Sequence, residues 1–314
     1  MRSGLTLAAG MMAGLWMDTM RRTAQAESAH PPLGDFVDAG GTRLHVLDRG
    51  QGAPVVFLHG AGMLLDDMAL ALMDRAAGSW HAIAVDRPGH GYSDRPSGAA
   101  TPRAQARILH DALVAMNVRK PVIVGHSLGA AVALAYALEF PYQTGGIVVL
   151  GGYAYPTARP DFALFAGPAV PGVGQVLSRT VLQPIDRMLL PSLIQRVFAP
   201  NPVPDGYRLV PTELMLRPSQ LEAAAGDIAA LIPAVAAMAP HYPDIRCPVA
   251  ILAGEEDRIV DPYDHAERLH HDIPGSTLHL LAGTGHMLHH IRADAVMAAI
   301  ERVEAFGMKV AGVI

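Results

Sequence analysis

Val122-Ile123-Val124-Gly125-His126-Ser127-Leu128-Gly129-Ala130-Ala131-Val132-Ala133-Leu134 is the stretch whose reading decides the fold. It opens with the β-branched residues Val122, Ile123 and Val124, which suit a buried strand. It then passes into an Ala/Leu-rich run with strong helix propensity. Between the two sits Gly125-His126-Ser127-Leu128-Gly129, a G-x-S-x-G sequence. A strand that turns straight into a helix forces its corner residue into a strained conformation. A Cβ at Gly125 or Gly129 would collide there with the adjoining strand and helix, so both neighbours must be small. The corner lifts Ser127 Oγ clear of the backbone, at the positive N-terminal end of the helix. A turn that merely contains Gly, Ser and Gly is the competing reading. The strand before it and the helix after it supply the context that the motif requires.

Working outward, strands and helices alternate. Asp35 to Asp38 and Arg43 to Asp48, separated by Gly40-Gly41, read as an antiparallel pair. Pro54 to Leu58, His81 to Asp86 and Ile147 to Leu150 read as strands covered on both faces. Thr101-Pro102 is an N-cap and first-turn pair for a helix reaching Met116. After residue 241 the pattern resumes with strands at Pro248 to Ala253 and Ser276 to Leu281. A helix opens at Asp261-Pro262, and an amphipathic helix closes the chain from Asp294 to Phe306. The order predicts an α/β fold, a mainly parallel sheet with helices on both faces. Sites in such sheets form at the C-terminal ends of the strands.

Composition sets limits. A chain of 314 residues can bury a large core, and its 17% charged residues and net charge of −5 give no reason to expect a nucleic-acid partner. Cys247 is the single cysteine, so no intrachain disulfide can form. At the N-terminus, residues 5–17 are apolar but short for a transmembrane helix. Ala24-Gln25-Ala26 follows as an A-x-A site, although Asp18, Arg21 and Arg22 interrupt the path to it. The segment reads as an export signal or as a membrane-proximal anchor, giving membrane association through residues 5–17. A start at Met20 with a cytoplasmic protein is the competing reading. In each case residues 1–30 are expected to lie outside the fold, with residues 31–314 forming a single domain.

The Gly125–Gly129 turn resembles the nucleophile elbow of the α/β-hydrolase family. His59-Gly60-Ala61-Gly62, just after a strand, resembles the family's oxyanion loop. The resemblance implies that the backbone N–H groups of Ala61 and Leu128 form the oxyanion hole. Gly60 lets the backbone approach a ligand closely, and His59 holds the loop. Asp86-Arg87-Pro88-Gly89-His90-Gly91-Tyr92-Ser93 also resembles a family loop, in which Asp86 and Arg87 organise structure rather than catalyse. Residues 153–241, rich in proline, would form the family's inserted helical cap, built of short helices joined by turns.

A serine hydroxyl is a weak nucleophile near neutral pH unless a base takes its proton. Histidine suits that base, with an acidic residue to orient it. The family order is Ser, acid, His, which selects Asp257 and His286, each just beyond a strand. Glu255, Glu256 and Asp261 are rivals, and the Gly254-x-x-Asp257 spacing favours Asp257. At the end of the Ile147 strand, Gly151 and Gly152 offer no alternative acid. His289 and His290 raise the question of a metal, but no carboxylate or cysteine shares their spacing, and one is expected to face outward. No metal or cofactor is therefore expected.

Ser in place of Asp at the elbow argues against the haloalkane dehalogenase and epoxide hydrolase branches, whatever the role of Tyr153, Tyr155, Tyr207 and Tyr242. Ester hydrolysis is the broadest class left. Carbon–carbon hydrolysis of meta-cleavage products, perhydrolysis and lactone opening remain open, as does a binder without turnover. Apolar residues of the insertion, among them Phe162, Leu164, Phe165, Val173, Val176, Met188, Leu189 and Phe198, are expected to line the site and favour a small hydrophobic substrate.

Overall fold

The structure is a computed structural model, and it describes residues 2–157, 168, 170 and 172–310. Among the described residues eight strands form one sheet: β1 (Asp35–Asp38), β2 (Arg43–Arg49), β3 (Pro54–Leu58), β4 (His81–Val85), β5 (Val122–His126), β6 (Gly146–Leu150), β7 (Val249–Gly254) and β8 (Thr277–Leu281). Their order is β1-β2-β4-β3-β5-β6-β7-β8. The β1–β2 and β2–β4 pairings are antiparallel and the others parallel. Gly40 and Gly41, at φ 63° and 93°, make the turn between β1 and β2.

Alternate residues of the central strands feed two apolar layers, as the two-residue side-chain period requires. Val56, Ile123, Ile147 and Ile251 pack on the side of α3 (Pro102–Ala115) and α4 (Leu128–Glu139). Val55, Val124, Val148 and Leu252 pack on the side of α2 (65–76) and the C-terminal helix, which runs Ala293–Val310. Thr101 caps α3, its Oγ1 accepting from the Ala104 N–H at 3.2 Å.

Between β6 and β7 the described insertion carries α5 (Val173–Ser178), α6 (Leu182–Phe198), α7 (Thr212–Met215) and α8 (Pro218–Met238). Two of these are longer than the proline density led us to expect. Pro191 lies inside α6, and Pro233 inside α8. An interior proline costs one backbone hydrogen bond and about 3 kcal/mol. In α8 that loss is opposed by burial of Ala223, Leu231, Val235 and Met238. Pro184 and Pro218 fall in first turns, where the missing N–H has no intrahelical partner anyway. The run Pro218–Asp244 is long and apolar enough to cross a membrane by length and composition alone. Here it is packed against α3 and α4, with Asp227 fully buried.

Residues 1–30 were expected outside the fold. From Arg2 to Ala29 they form one helix, α1, which packs on α7. Ala26 shares an apolar cluster with Leu64, Phe198, Tyr207 and Met287. Glu27 accepts from Arg217 at 2.9 Å, and the Tyr92 hydroxyl donates to the His30 carbonyl.

The packing of α4 gives a test. A Cβ on Gly129 would lie 2.5 Å from the Leu58 carbonyl oxygen and 2.6 Å from that of His59. Gly→Ala inside a helix normally gains about 1 kcal/mol. Gly129→Ala should reverse that sign and cost about 2 kcal/mol or more, because both obstacles are backbone. Thermal unfolding followed by circular dichroism measures it, and a raised midpoint would show that the elbow is looser than described.

Candidate active site

Ser127 stands at the junction of β5 and α4 with φ 54° and ψ −115°, a strained backbone for a residue with a side chain. Its N–H donates to the Leu150 carbonyl at 2.9 Å, and its carbonyl accepts from the Ala130 N–H at 3.1 Å. A Cβ on Gly125 would meet the Gly129 carbonyl oxygen at 2.3 Å. Strand and helix therefore cross at a distance only glycine permits, and the corner residue is held at the C-terminal edge of the sheet.

Two further strand ends deliver the partners. Asp257 follows β7 and His286 follows β8, and both are buried. His286 Nδ1 lies 2.7 Å from Asp257 Oδ2. Asp257 Oδ1 accepts from the Ile259 N–H at 2.7 Å and the Val260 N–H at 2.9 Å, which fixes the carboxylate as an acceptor and makes Nδ1–H the donor. Two of the rival acids are engaged elsewhere. Glu256 accepts from the Thr284 N–H at 2.9 Å, and Asp261 accepts from the Tyr263 and Asp264 N–H groups as a helix cap. Gly151, at φ 51°, backs the pair: a Cβ there would lie 3.4 Å from both Asp257 Oδ2 and His286 Nδ1.

The loop carrying Ala61 abuts the elbow. A Cβ on Gly60 would stand 3.1 Å from His126 Nδ1 and 3.3 Å from Ser127 Cβ. Ala61 is half-buried and Leu128, the first residue of α4, is buried. His59 Nδ1–H donates to the Gly60 carbonyl at 2.8 Å, while its Nε2 accepts from the Arg87 N–H at 3.0 Å. Arg87 also donates to the His59 and Gly60 carbonyls, both at 3.0 Å. Its Nη1 donates to both Gln105 Oε1 and Asp227 Oδ2, each at 2.7 Å. Asp86 accepts from the Leu65 and Tyr92 N–H groups and pairs with His45 Nδ1 at 2.6 Å. Both residues thus hold loops in place.

Three contributors were not read from the sequence. Asp227 on α8 binds Arg87 and Arg95, joining the insertion to the oxyanion loop. The available signal was an acid flanked by Ala225-Gly226 and Ile228-Ala229 in a helix whose other acid is Glu222. His126, inside the elbow motif, donates from Nε2 to the His286 carbonyl at 3.0 Å, its ring centroid 4.7 Å from that of His286. The third contributor corrects an expectation. His289 and His290 do have a carboxylate partner, Asp67 of α2, and neither faces outward. His289 Nε2 lies 2.9 Å from Asp67 Oδ2 and His290 Nε2 2.8 Å from Oδ1. The three ligand atoms lie within 4.8 Å of one another, a donor set whose chemistry suits a borderline divalent cation. Each imidazole already has its own carboxylate oxygen, so the group is also complete as a hydrogen-bonded clamp. Sequence spacing could not reveal it, because Asp67 lies more than two hundred residues away.

The lining of the site also differs from expectation. Val173, Val176, Met188 and Leu189 are exposed to solvent. Phe162, Leu164 and Phe165 lie outside the described residues. Phe198, also expected in the lining, is fully buried in a cluster with Leu64, Tyr207 and Met287, and Met63 packs against it. Met63 and Leu64 follow the oxyanion loop and Met287 follows His286, so this cluster packs behind both segments, with only Met63 partly exposed. Tyr155 and Tyr242 are buried structural residues, their hydroxyls donating to Asp272 and to the Ala154 carbonyl.

A family profile described as "alpha/beta hydrolase fold" matches residues 53–293. The chain belongs to the α/β-hydrolase family and is a hydrolase. Among curated relatives, it is 28% identical over 261 residues to a 2-hydroxy-6-oxo-2,4-heptadienoate hydrolase of Pseudomonas putida, covering 81% of this chain and 90% of that protein. It is 26% identical to a 2-hydroxy-6-oxo-6-phenylhexa-2,4-dienoate hydrolase of Burkholderia cepacia, over 81% of this chain and 88% of the other. Among solved structures, an esterase from Exiguobacterium antarcticum superposes with a TM-score of 0.66 at 21% identity, covering 88% of this chain and 99% of that one. An enol-lactonase from Burkholderia xenovorans gives 0.69 at 20% identity, covering 86% and 99%.

The buried imidazoles give a pH test. Burial first, and then the Arg87 charge, pushes His59 and His90 well below the ordinary imidazole value. Burial likewise lowers His126 and His289. A pKa depressed in the folded state means that unfolding takes up protons once the pH falls below about 6.5, so stability falls there. Each such histidine contributes a slope of up to about 1.4 kcal/mol per pH unit. Asp66 and Asp186, raised to about 6 by burial, act oppositely. Their contribution is complete below a pH of about 4 and is lost as the pH rises towards 6. Burial alone would raise the Asp67 carboxyl, but His289 and His290 hold it well below the usual range, so its contribution is lost only in strong acid. Four imidazoles outweigh two carboxyls, and urea midpoints should drop from pH 7 to pH 5. A flat profile would show that these histidines are charged or hydrated in the folded chain.

Proposed function

We propose that this hydrolase cleaves neutral, hydrophobic carboxylic esters through an acyl-enzyme on Ser127. The observation that carries the proposal is the buried His286–Asp257 hydrogen bond of 2.7 Å beside a serine held at positive φ. In this reading His286 Nε2 takes the Ser127 hydroxyl proton as Oγ attacks the ester carbonyl. Asp257 orients the ring and stabilises the imidazolium. The backbone N–H groups of Ala61 and Leu128 receive the developing oxyanion, aided by the N-terminal end of α4. His286 then hands its proton to the departing alcohol, and a water molecule, activated by the same ring, releases the acid. Ser127 is the nucleophile, Asp257 and His286 complete the triad, and Gly60, Gly125 and Gly129 give the backbone its close approaches. The insertion acts as a cap over this edge of the sheet.

Two observations support a neutral substrate. Phe198, Leu64 and Met287 pack as a buried apolar cluster next to the oxyanion loop and His286, with the half-buried Met63 against it. The nearby arginines are committed: Arg87 and Arg95 to Asp227, and Arg217 to Glu27. The dienoates named for the curated relatives are anions, and their carboxylate would compete with Asp227 or Glu27 for those cations. Carbon–carbon hydrolysis is therefore the second reading. It uses the same serine, base and oxyanion hole, and the relatives' names favour it.

Ser127→Ala should fold normally and lose about 10⁴- to 10⁶-fold in hydrolysis rate. Asp257→Asn should lose about 10²- to 10⁴-fold with little change in binding, since it leaves the ring poorly oriented. Purified Ser127→Ala keeping a tenth of the wild-type rate would sink the serine mechanism.

Substrate choice separates the two readings. kcat/KM across p-nitrophenyl esters should rise from acetate as methylenes are buried, each worth about 0.8 kcal/mol, and fall once the pocket is filled. A 2-hydroxy-6-oxo-dienoate assayed alongside should be turned over more slowly. If the dienoate were the better substrate, the carbon–carbon reading would replace the ester one.

A further inference from the structure

Ser3 to Met17 contains no charged residue, and α1 spans it as helix. Those residues extend roughly 22 Å at 1.5 Å per residue. That is short of the roughly 30 Å hydrocarbon core of a bilayer. Leu7, Met11 and Met17 of this stretch are exposed, at 76%, 65% and 66%. The insertion presents the same character on its outer side, where Val173, Met188 and Leu189 are exposed. An apolar surface of this kind marks an interaction site in a folded protein.

The two surfaces adjoin. The Arg179 guanidinium, at the C-terminal end of α5, sits 5.7 Å from the Trp16 ring centroid. Further along, Arg22 lies in the field of Glu213 on α7, and Glu213 pairs with Arg187 of α6 at 2.7 Å. Helix α1 thus runs beside α5, α6 and α7. Across residues 2–29 and 172–215 arginines outnumber carboxylates seven to five, whereas the whole chain carries a net −5. This side thus joins exposed apolar side chains to an excess of arginine, on a protein whose net charge is negative. Arg196 and Arg208 are exposed on that side.

We propose that α1 and the outer face of α5–α6 form one docking surface for an anionic phospholipid bilayer, entered from the side rather than spanned. Apolar burial supplies the attraction, and the arginines add an electrostatic preference for anionic headgroups, while the net negative remainder faces away from them. The proposal does not depend on which bond the active site cleaves.

The test uses the full chain with vesicles of phosphatidylcholine alone or mixed with phosphatidylglycerol, read by flotation and tryptophan emission. The chain has two tryptophans; Trp80 is buried at 8% exposure and Trp16 is the accessible reporter. The chain should float with the mixed vesicles, with a blue-shifted Trp16 signal that Trp16→Phe removes. Met17→Glu on α1, and Met188→Glu with Leu189→Glu on α6, should each weaken binding about tenfold or more, since each puts a charge where an apolar side chain would be buried. Thermal midpoints close to wild type check that these surface variants still fold. Loss of binding in the α1 variant with no change in the α6 variant would overturn the shared surface. So would equal binding to neutral and anionic vesicles. No flotation at all, or a sedimentation dimer that the same variants dissociate, would overturn the membrane assignment.

Discussion

The contact on which the rest depends is the passage of α4 beneath the end of β3. Gly129 comes so near the Leu58 and His59 carbonyls that no side chain fits between them, and Gly125 crosses Gly129 just as closely. Those two approaches bend the chain at Ser127 and hold it at φ 54°. They also bring the oxyanion loop against the elbow, because Leu58 ends the strand from which that loop departs. Backbone strain at one residue is thus maintained by two glycines and by the sheet on either side of them.

Around this contact, buried polar groups join segments that are far apart in sequence. Arg87 spans from the His59 and Gly60 carbonyls to Asp227 of the insertion. Asp67 ties α2, which follows the oxyanion loop, to the short helix behind His286. His126 connects the elbow to the His286 backbone. A buried charge left without its partner costs about 3–5 kcal/mol, so these links specify where each loop sits more strongly than apolar packing alone. These links hold the oxyanion loop, the elbow and the segment around His286, while Glu256 and the Thr284 N–H hold the loop carrying Asp257.

The insertion shows where residue pattern and tertiary environment part. Proline spacing suggested short helices joined by turns, but α6 and α8 run through Pro191 and Pro233. Local cost was readable, whereas the compensating burial along α8 was not. The same limit applies to the apolar side chains of α5 and α6. Composition identified them as apolar, but only their placement shows that Val173, Met188 and Leu189 turn away from the sheet.

By itself the sequence determined the strand order along the chain and the strand–turn–helix at Ser127, and it singled out Asp257 and His286 as candidates. Each rests on local information: a two-residue or Ala/Leu pattern, a glycine pair, or a residue just past a strand. The sheet's connectivity then obliges those strand ends to converge. Tertiary structure alone decided the partners of buried charges. Asp67 meets His289 and His290 from 222 and 223 residues away, and Asp227 meets Arg87 from 140. It also decided that α1 lies against the insertion, through Glu27, Trp16 and Ala26. Such pairings leave no local periodicity, because a hydrogen bond across the fold constrains two side chains in space and nothing about the residues between them.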